Sequence, residues 1–199
     1  MNFTIGELAK SKIPRLRNYV INTNKLIDEI LSCHNGTLLY CDTINELLIK
    51  ALYNEDKIKY AFFGANKLKY LFYNEEINKT LMLVEKCIKN HKKEDINLIH
   101  NQINNIESFI KNNIPIRKFI YAGKSILYLA LAIERFYSSD DKFILDDYLD
   151  NYVRQTIEYI VMAFSASDAD WVGALSSNPV IVQQYNEIFD YGRKLLKEQ

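Results

Sequence analysis

Residues 116–137 read IRKFIYAGKSILYLALAIERFY, and they decide the fold. Pro115 stands just before them, where its fixed φ suits a helix start. Ile126 to Ile133 is the longest strongly apolar run in the chain. A helix this apolar is expected at the centre of a packed bundle. The run is far too short to span a bilayer and is bracketed by Lys124 and Glu134.

The same helical period extends outward in both directions. Just upstream, Ile96, Ile99, Ile103, Ile106 and Ile110 recur at three- and four-residue spacing, with a strongly polar opposite face. That pattern predicts a surface helix. Residues 57–73 and 77–91 predict two more, separated near Asn74. Asp42 or Thr43 caps another, with Leu47, Leu48, Ala51 and Leu52 facing inward. Before it, Pro14 opens a stripe from Leu16 to Leu31 that Asn35–Gly36 stops, and Thr4–Glu7 has the form of a capping box. Downstream, SSDD at 138–141 breaks the apolar helix. Leu145, Tyr148, Leu149, Tyr152, Val153, Thr156, Ile157, Ile160, Val161 and Phe164 then form a further stripe. Residues 165–179 are expected to be a loop, and Asn178–Pro179 to start a last helix running toward Leu196.

No run alternates with period two between turn signals, so no substantial sheet is expected. Residues 1–199 are expected to form an all-α, single-domain bundle of about eight to ten helices. A helical-repeat arrangement stays open, because YAFFGANKLKYLFY and FIYAGKSILYLALAIERFY share an aromatic-Gly-Lys character.

Hydrophobic residues make up 48% and charged residues 25%, as in ordinary globular proteins. Three cysteines, Cys33, Cys41 and Cys87, do not form a secreted disulfide framework. The N-terminal stretch carries no apolar leader core, so a cytoplasmic, reduced protein is expected, with no membrane partner. Net charge is zero but unevenly spread. From Glu134 to Asp170, nine carboxylates against three cations leave −6, and residues 171–199 balance, so the first 133 residues carry +6. Such an acidic segment favours a basic partner or a cation over nucleic acid.

Within that segment stands DDYLD, residues 146–150. On a helix, Asp146 and Asp150 lie one turn apart. The spacing resembles the aspartate-rich box of the all-helical isoprenoid synthases, which holds magnesium against a diphosphate. No second box accompanies it here. The plainer alternative puts Tyr148 and Leu149 on the core face and the aspartates in water, near a helix start where negative charge is favoured. AGKS at 122–125 ends like a phosphate-binding loop, but Lys118 stands where that loop needs glycine, and no strand precedes it. Ala122, Gly123 and Ser125 are better read as a small-residue patch that lets another helix approach.

The histidines, His34, His91 and His100, form none of the helical metal motifs. Cys87 and His91 share a helix face, but a small buried thiol explains Cys87 better than zinc does. Glu187 and Asp190 form E-x-x-D without a partner motif and read as exposed helix residues. Trp171, the single tryptophan, sits in a Ser/Asp/Gly-rich stretch and is either folded onto the core or a partner anchor.

The stretches FIYAGKSILYLALAIERFYSSDD, IEYIVMAFSASDADW and YNEIFDYGRKLL, in that order, cover about the last 85 residues. Their pattern resembles that of the helical immunity proteins of bacterial polymorphic-toxin and contact-dependent inhibition systems. The resemblance implies a protein that neutralises a cognate toxin by tight binding without turnover. It also implies a basic toxin, such as a nuclease, drawn to an acidic surface. It transfers no individual functional residue.

The partner-binding residues are therefore expected to be Asp140, Asp141, Asp146, Asp147, Asp150, Asp168, Asp170 and Trp171. No catalytic residue, cofactor or metal is expected. Two alternatives remain beside this one: a magnesium-dependent helical phosphohydrolase or diphosphate-binding enzyme using the same aspartates, and a helical adaptor or scaffold.

Overall fold

The computed structural model of the chain describes residues 25, 41–70, 74–90, 93–113, 116–138, 147–165 and 179–198. Seven α-helices occur among them: α1 (Cys41–Ala51), α2 (Asn54–Asn66), α3 (Glu75–Asn90), α4 (Lys93–Asn112), α5 (Arg117–Ser138), α6 (Asp147–Ser165) and α7 (Pro179–Glu198). A 3-10 turn, Lys67–Tyr70, follows α2. No strand occurs among the described residues. The capping box at Thr4–Glu7 and, apart from Lys25, the stripe from Leu16 to Leu31 lie outside them, as do residues 139–146 and 166–178. Seven helices are fewer than the eight to ten expected for the whole chain.

Local chemistry explains several boundaries. Asn74 Oδ1 accepts a hydrogen bond from the Ile77 backbone N–H at 3.0 Å, so Asn74 caps the start of α3 and separates it from the turn before. Pro179 occupies the first position of α7, where its missing N–H costs nothing. The long helix expected at 57–73 ends earlier, at Asn66, because the chain tightens into the 3-10 turn.

The apolar helix α5 is central, packing on α2, α3, α4 and α6. Its small-residue patch works as the spacing suggests. A Cβ on Gly123 would lie 2.6 Å from Ile110 Cγ1 and 3.2 Å from Phe109, so glycine lets α4 approach closely. The Ser125 hydroxyl, fully buried, donates to the Thr156 backbone carbonyl of α6 at 3.1 Å. This satisfies a polar group in the tightest seam of the bundle. Buried Ile126, Leu129 and Ile133 on α5, Ile157 and Ile160 on α6, and Ala61 and Ala65 on α2 contribute to one continuous core.

On α2 the buried arc is made of small residues, Ala61, Gly64 and Ala65, and of Tyr60, whose hydroxyl donates to Asn45 Oδ1 at 3.1 Å. Lys57 lies on the same arc, at i−3 and i−4 from Tyr60 and Ala61. The terminal helix α7 docks by aromatic contact: Tyr191 stacks on Phe63 with centroids 4.1 Å apart. Lys67 bridges the same two elements, pairing with Glu187 beneath a cation–π contact to Phe63. That pairing holds the Glu187 carboxyl below its ordinary range. Thus Glu187 of the E-x-x-D pair joins two elements, while Asp190 is exposed.

Candidate functional site

The acid-rich start of α6 faces the second half of α1 across a cleft of about 320 Å³. Glu46, Ile49 and Lys50 line it from α1, and Asp147, Asp150, Asn151 and Arg154 from α6. Both elements present polar residues here because each turns its apolar arc the other way, with Ile44 and Leu48 on α1 and Leu149 and Val153 on α6 buried. Asp147 and Asp150 also occupy the first turn of α6, where exposed N–H groups favour negative charge.

The two aspartates differ in what they touch. Asp147 is exposed. Asp150 turns inward, and its Oδ1 lies 2.5 Å from Nζ of Lys57, a lysine with no exposed side-chain surface. The aspartates of this stretch were expected to face water, and for Asp150 that expectation fails. Positions 150, 153 and 157 share one face of α6 at three- and four-residue spacing, and Val153 and Ile157 are buried. Asp150 is therefore carried to the edge of the core, where a buried ammonium needs it. Tyr148 was expected on the core face, yet it is 67% exposed. It belongs with Tyr152 and Tyr159, four and eleven residues on, at the rim of the buried arc. Arg135 of α5 lies over its ring at 5.6 Å.

Other charges in the cleft are largely engaged. Lys50 pairs with Glu46 one turn earlier, which holds the Glu46 carboxyl below its ordinary range. Arg154 donates to Asn151 at 2.8 Å and sits 3.7 Å from Glu158. The described cleft thus carries three carboxylates against Lys50, Arg154 and the underlying Lys57. Of the expected partner-binding residues, the structure brings Asp147 and Asp150 to this cleft. Asp140, Asp141, Asp146, Asp168, Asp170 and Trp171 lie outside the described residues.

No group of three potential metal ligands occurs among the described residues. Cys87 is a free, fully buried thiol, pushed up to about 11 by burial and by neighbouring Asp95. It is the small hydrophobe its sequence context suggests. No helix is long and apolar enough to cross a membrane among the described residues.

The residue beneath this cleft that the sequence did not reveal is Lys57. Its signal was present, since positions 57, 60, 61 and 64 form one arc of α2, but a lysine on an apolar arc is not read as buried without its counter-charge. The fold and site together define an all-helical bundle with a polar cleft at the start of α6. The chain matches no protein-family model, no curated protein and no solved structure.

Proposed function

We propose that the protein is a binding inhibitor that meets a basic partner protein at the start of α6, most simply as an immunity protein against a cognate toxin. The observation that carries this is the exposed pair Asp147 and Tyr148, a carboxylate beside an aromatic ring at the head of an acid-rich helix. An exposed tyrosine supplies large contact area at low entropic cost, and a neighbouring carboxylate steers a cationic partner toward it. The −6 balance of residues 134–170 supports a partner of positive charge. The remaining expected contacts, Asp140, Asp141, Asp146, Asp168, Asp170 and Trp171, belong to the same proposal. Asp150 acts beneath this surface, holding α6 on Lys57.

The test is capture of partners by the tagged protein from lysate of the cells it comes from, identified by mass spectrometry. Asp147→Lys with Tyr148→Ala runs beside it, since neither change removes the Lys57–Asp150 pair. One stoichiometric basic protein, lost in the variant, is the expected result. Equal capture by both proteins, or an acidic partner, would overturn the reading.

A further inference from the structure

A second face of the molecule has the opposite character. Along the outer seam between α5 and α6, four tyrosines form a continuous ladder. Tyr121 stacks with Tyr159 at 6.1 Å, Tyr159 with Tyr128 at 5.6 Å, and Tyr128 meets Tyr152 at 6.1 Å. All four are half-buried, and no hydrogen bond to a described residue engages their hydroxyls. Lys124 Nζ sits 5.1 Å over the Tyr159 ring.

The charge on this seam is one-sided. On α5, positions 117, 121, 124, 128, 131 and 135 step by four and three and carry Arg, Tyr, Lys, Tyr, Leu and Arg. On α6, positions 148, 152, 155, 159 and 162 do the same and carry Tyr, Tyr, Gln, Tyr and Met. Three cations and no carboxylate stand on these positions, in a chain whose acids and bases are equal in number. Neither Arg117 nor Lys124 has a carboxylate partner among the described residues. The acids next in sequence to the seam have partners of their own: Glu134 lies 2.5 Å from His100 of α4, and Glu158, at the edge of the seam, accepts from Gln155 and faces Arg154.

We infer that this seam is a docking face for an acidic segment of a partner protein, whose carboxylates meet Arg117, Lys124 and the tyrosine hydroxyls. The contacts it rests on, Arg117, Lys124 and the four laddered tyrosines, are other residues than Asp147 and Tyr148, so it does not depend on the function proposed for those two. Phenol hydroxyls donate to carboxylates, and unpaired cations on an aromatic floor complement them. The rings lie against one another, which leaves less open face for successive nucleic-acid bases to stack on, although cations beside aromatics would otherwise suit them. From position 117 to 135 the seam runs about 27 Å along α5. Roughly eight extended residues span that length.

The probe is a short fluorescein-labelled polyglutamate, with a polylysine of the same length as control, read by anisotropy at low salt. The expected result is saturable binding of polyglutamate alone. Arg117→Glu with Lys124→Glu weakens it by about tenfold or more, as charge reversal across a complementary face does. Tyr128→Phe with Tyr159→Phe, which keeps the rings, weakens it by about threefold through loss of the donors. Lys79→Glu with Lys89→Glu, exposed on α3, leaves it unchanged. Absence of saturable binding overturns the inference. So does equal binding of polylysine, an unaltered affinity in either seam variant, or an equal loss in the α3 variant.

Discussion

Two of the ion pairs that tie helices of this bundle together are buried in opposite senses. Lys57 of α2 and Asp150 of α6 are 0% and 20% exposed, so the hidden charge is the cation. Lys86 of α3 and Asp95 of α4 are 52% and 2% exposed, so the hidden charge is the anion. The first pair joins helices far apart in sequence, beneath the candidate site, whereas the second closes a neighbouring helix hairpin. Asp95 keeps only one oxygen on Lys86, at 2.6 Å, and its Oδ2 finds no hydrogen-bond partner. The contrast shows which half of each pair is needed. The exposed member can return to water, but the buried member cannot, so deleting the exposed member does the damage.

The largest effect should therefore come from Asp150→Ala, which strands the Lys57 ammonium in the core. A loss of about 3–5 kcal/mol in denaturant unfolding is expected. Lys57→Met removes the buried charge and leaves Asp150 at the cleft edge, so a change within about 1 kcal/mol is expected, as for apolar replacement of buried ionic groups. Equal losses from the two variants would break the comparison.

Lys86→Ala comes next. It leaves Asp95 buried with neither oxygen paired to a cation, and should lower the unfolding midpoint by less than Asp150→Ala does. If it costs more, the α3–α4 hairpin rather than the α2–α6 junction is the electrostatic keystone.

A smaller effect is expected at the cleft mouth, where Glu46 and Lys50 are each 56% exposed. Lys50 holds the Glu46 carboxyl below its ordinary value in the folded chain. Its stabilisation is thus complete above the ordinary value and fades as pH falls through the lowered one. Screening limits the pair to about 0.5 kcal/mol, so Lys50→Ala should shift the urea midpoint slightly, and less in high salt. The least change should appear at Cys87. With its thiol pushed up to about 11, Cys87 in native protein at neutral pH should resist a thiol reagent that labels it at once in the urea-unfolded chain, as read by peptide mass mapping.

Much of this fold is legible in the sequence because helical period and burial coincide along most helices. The isoleucine stripe of α4, the apolar α5 and the Pro179 start all stand where spacing puts them. So does the Ala122–Gly123–Ser125 patch, closed on by α4 and α6. The site is less legible. Tyr148 and Asp150 exchange the sides expected of them, since a stripe's edge residues are assigned by a fraction of a turn, and the buried charge that claims Asp150 lies 93 residues away. The tyrosine ladder escaped notice for a similar reason, because its rungs alternate between two helices whose mutual register only packing fixes.

The central claim is that Asp147 and Tyr148 face a basic partner while Asp150 holds the helix that carries them. The most direct measurement is the association rate of the captured partner with wild type and with Asp147→Lys, at low and high salt. Slower association of the variant, with the gap widest at low salt and unfolding stability unchanged, is the predicted result. An association rate equal to wild type at low salt would contradict it.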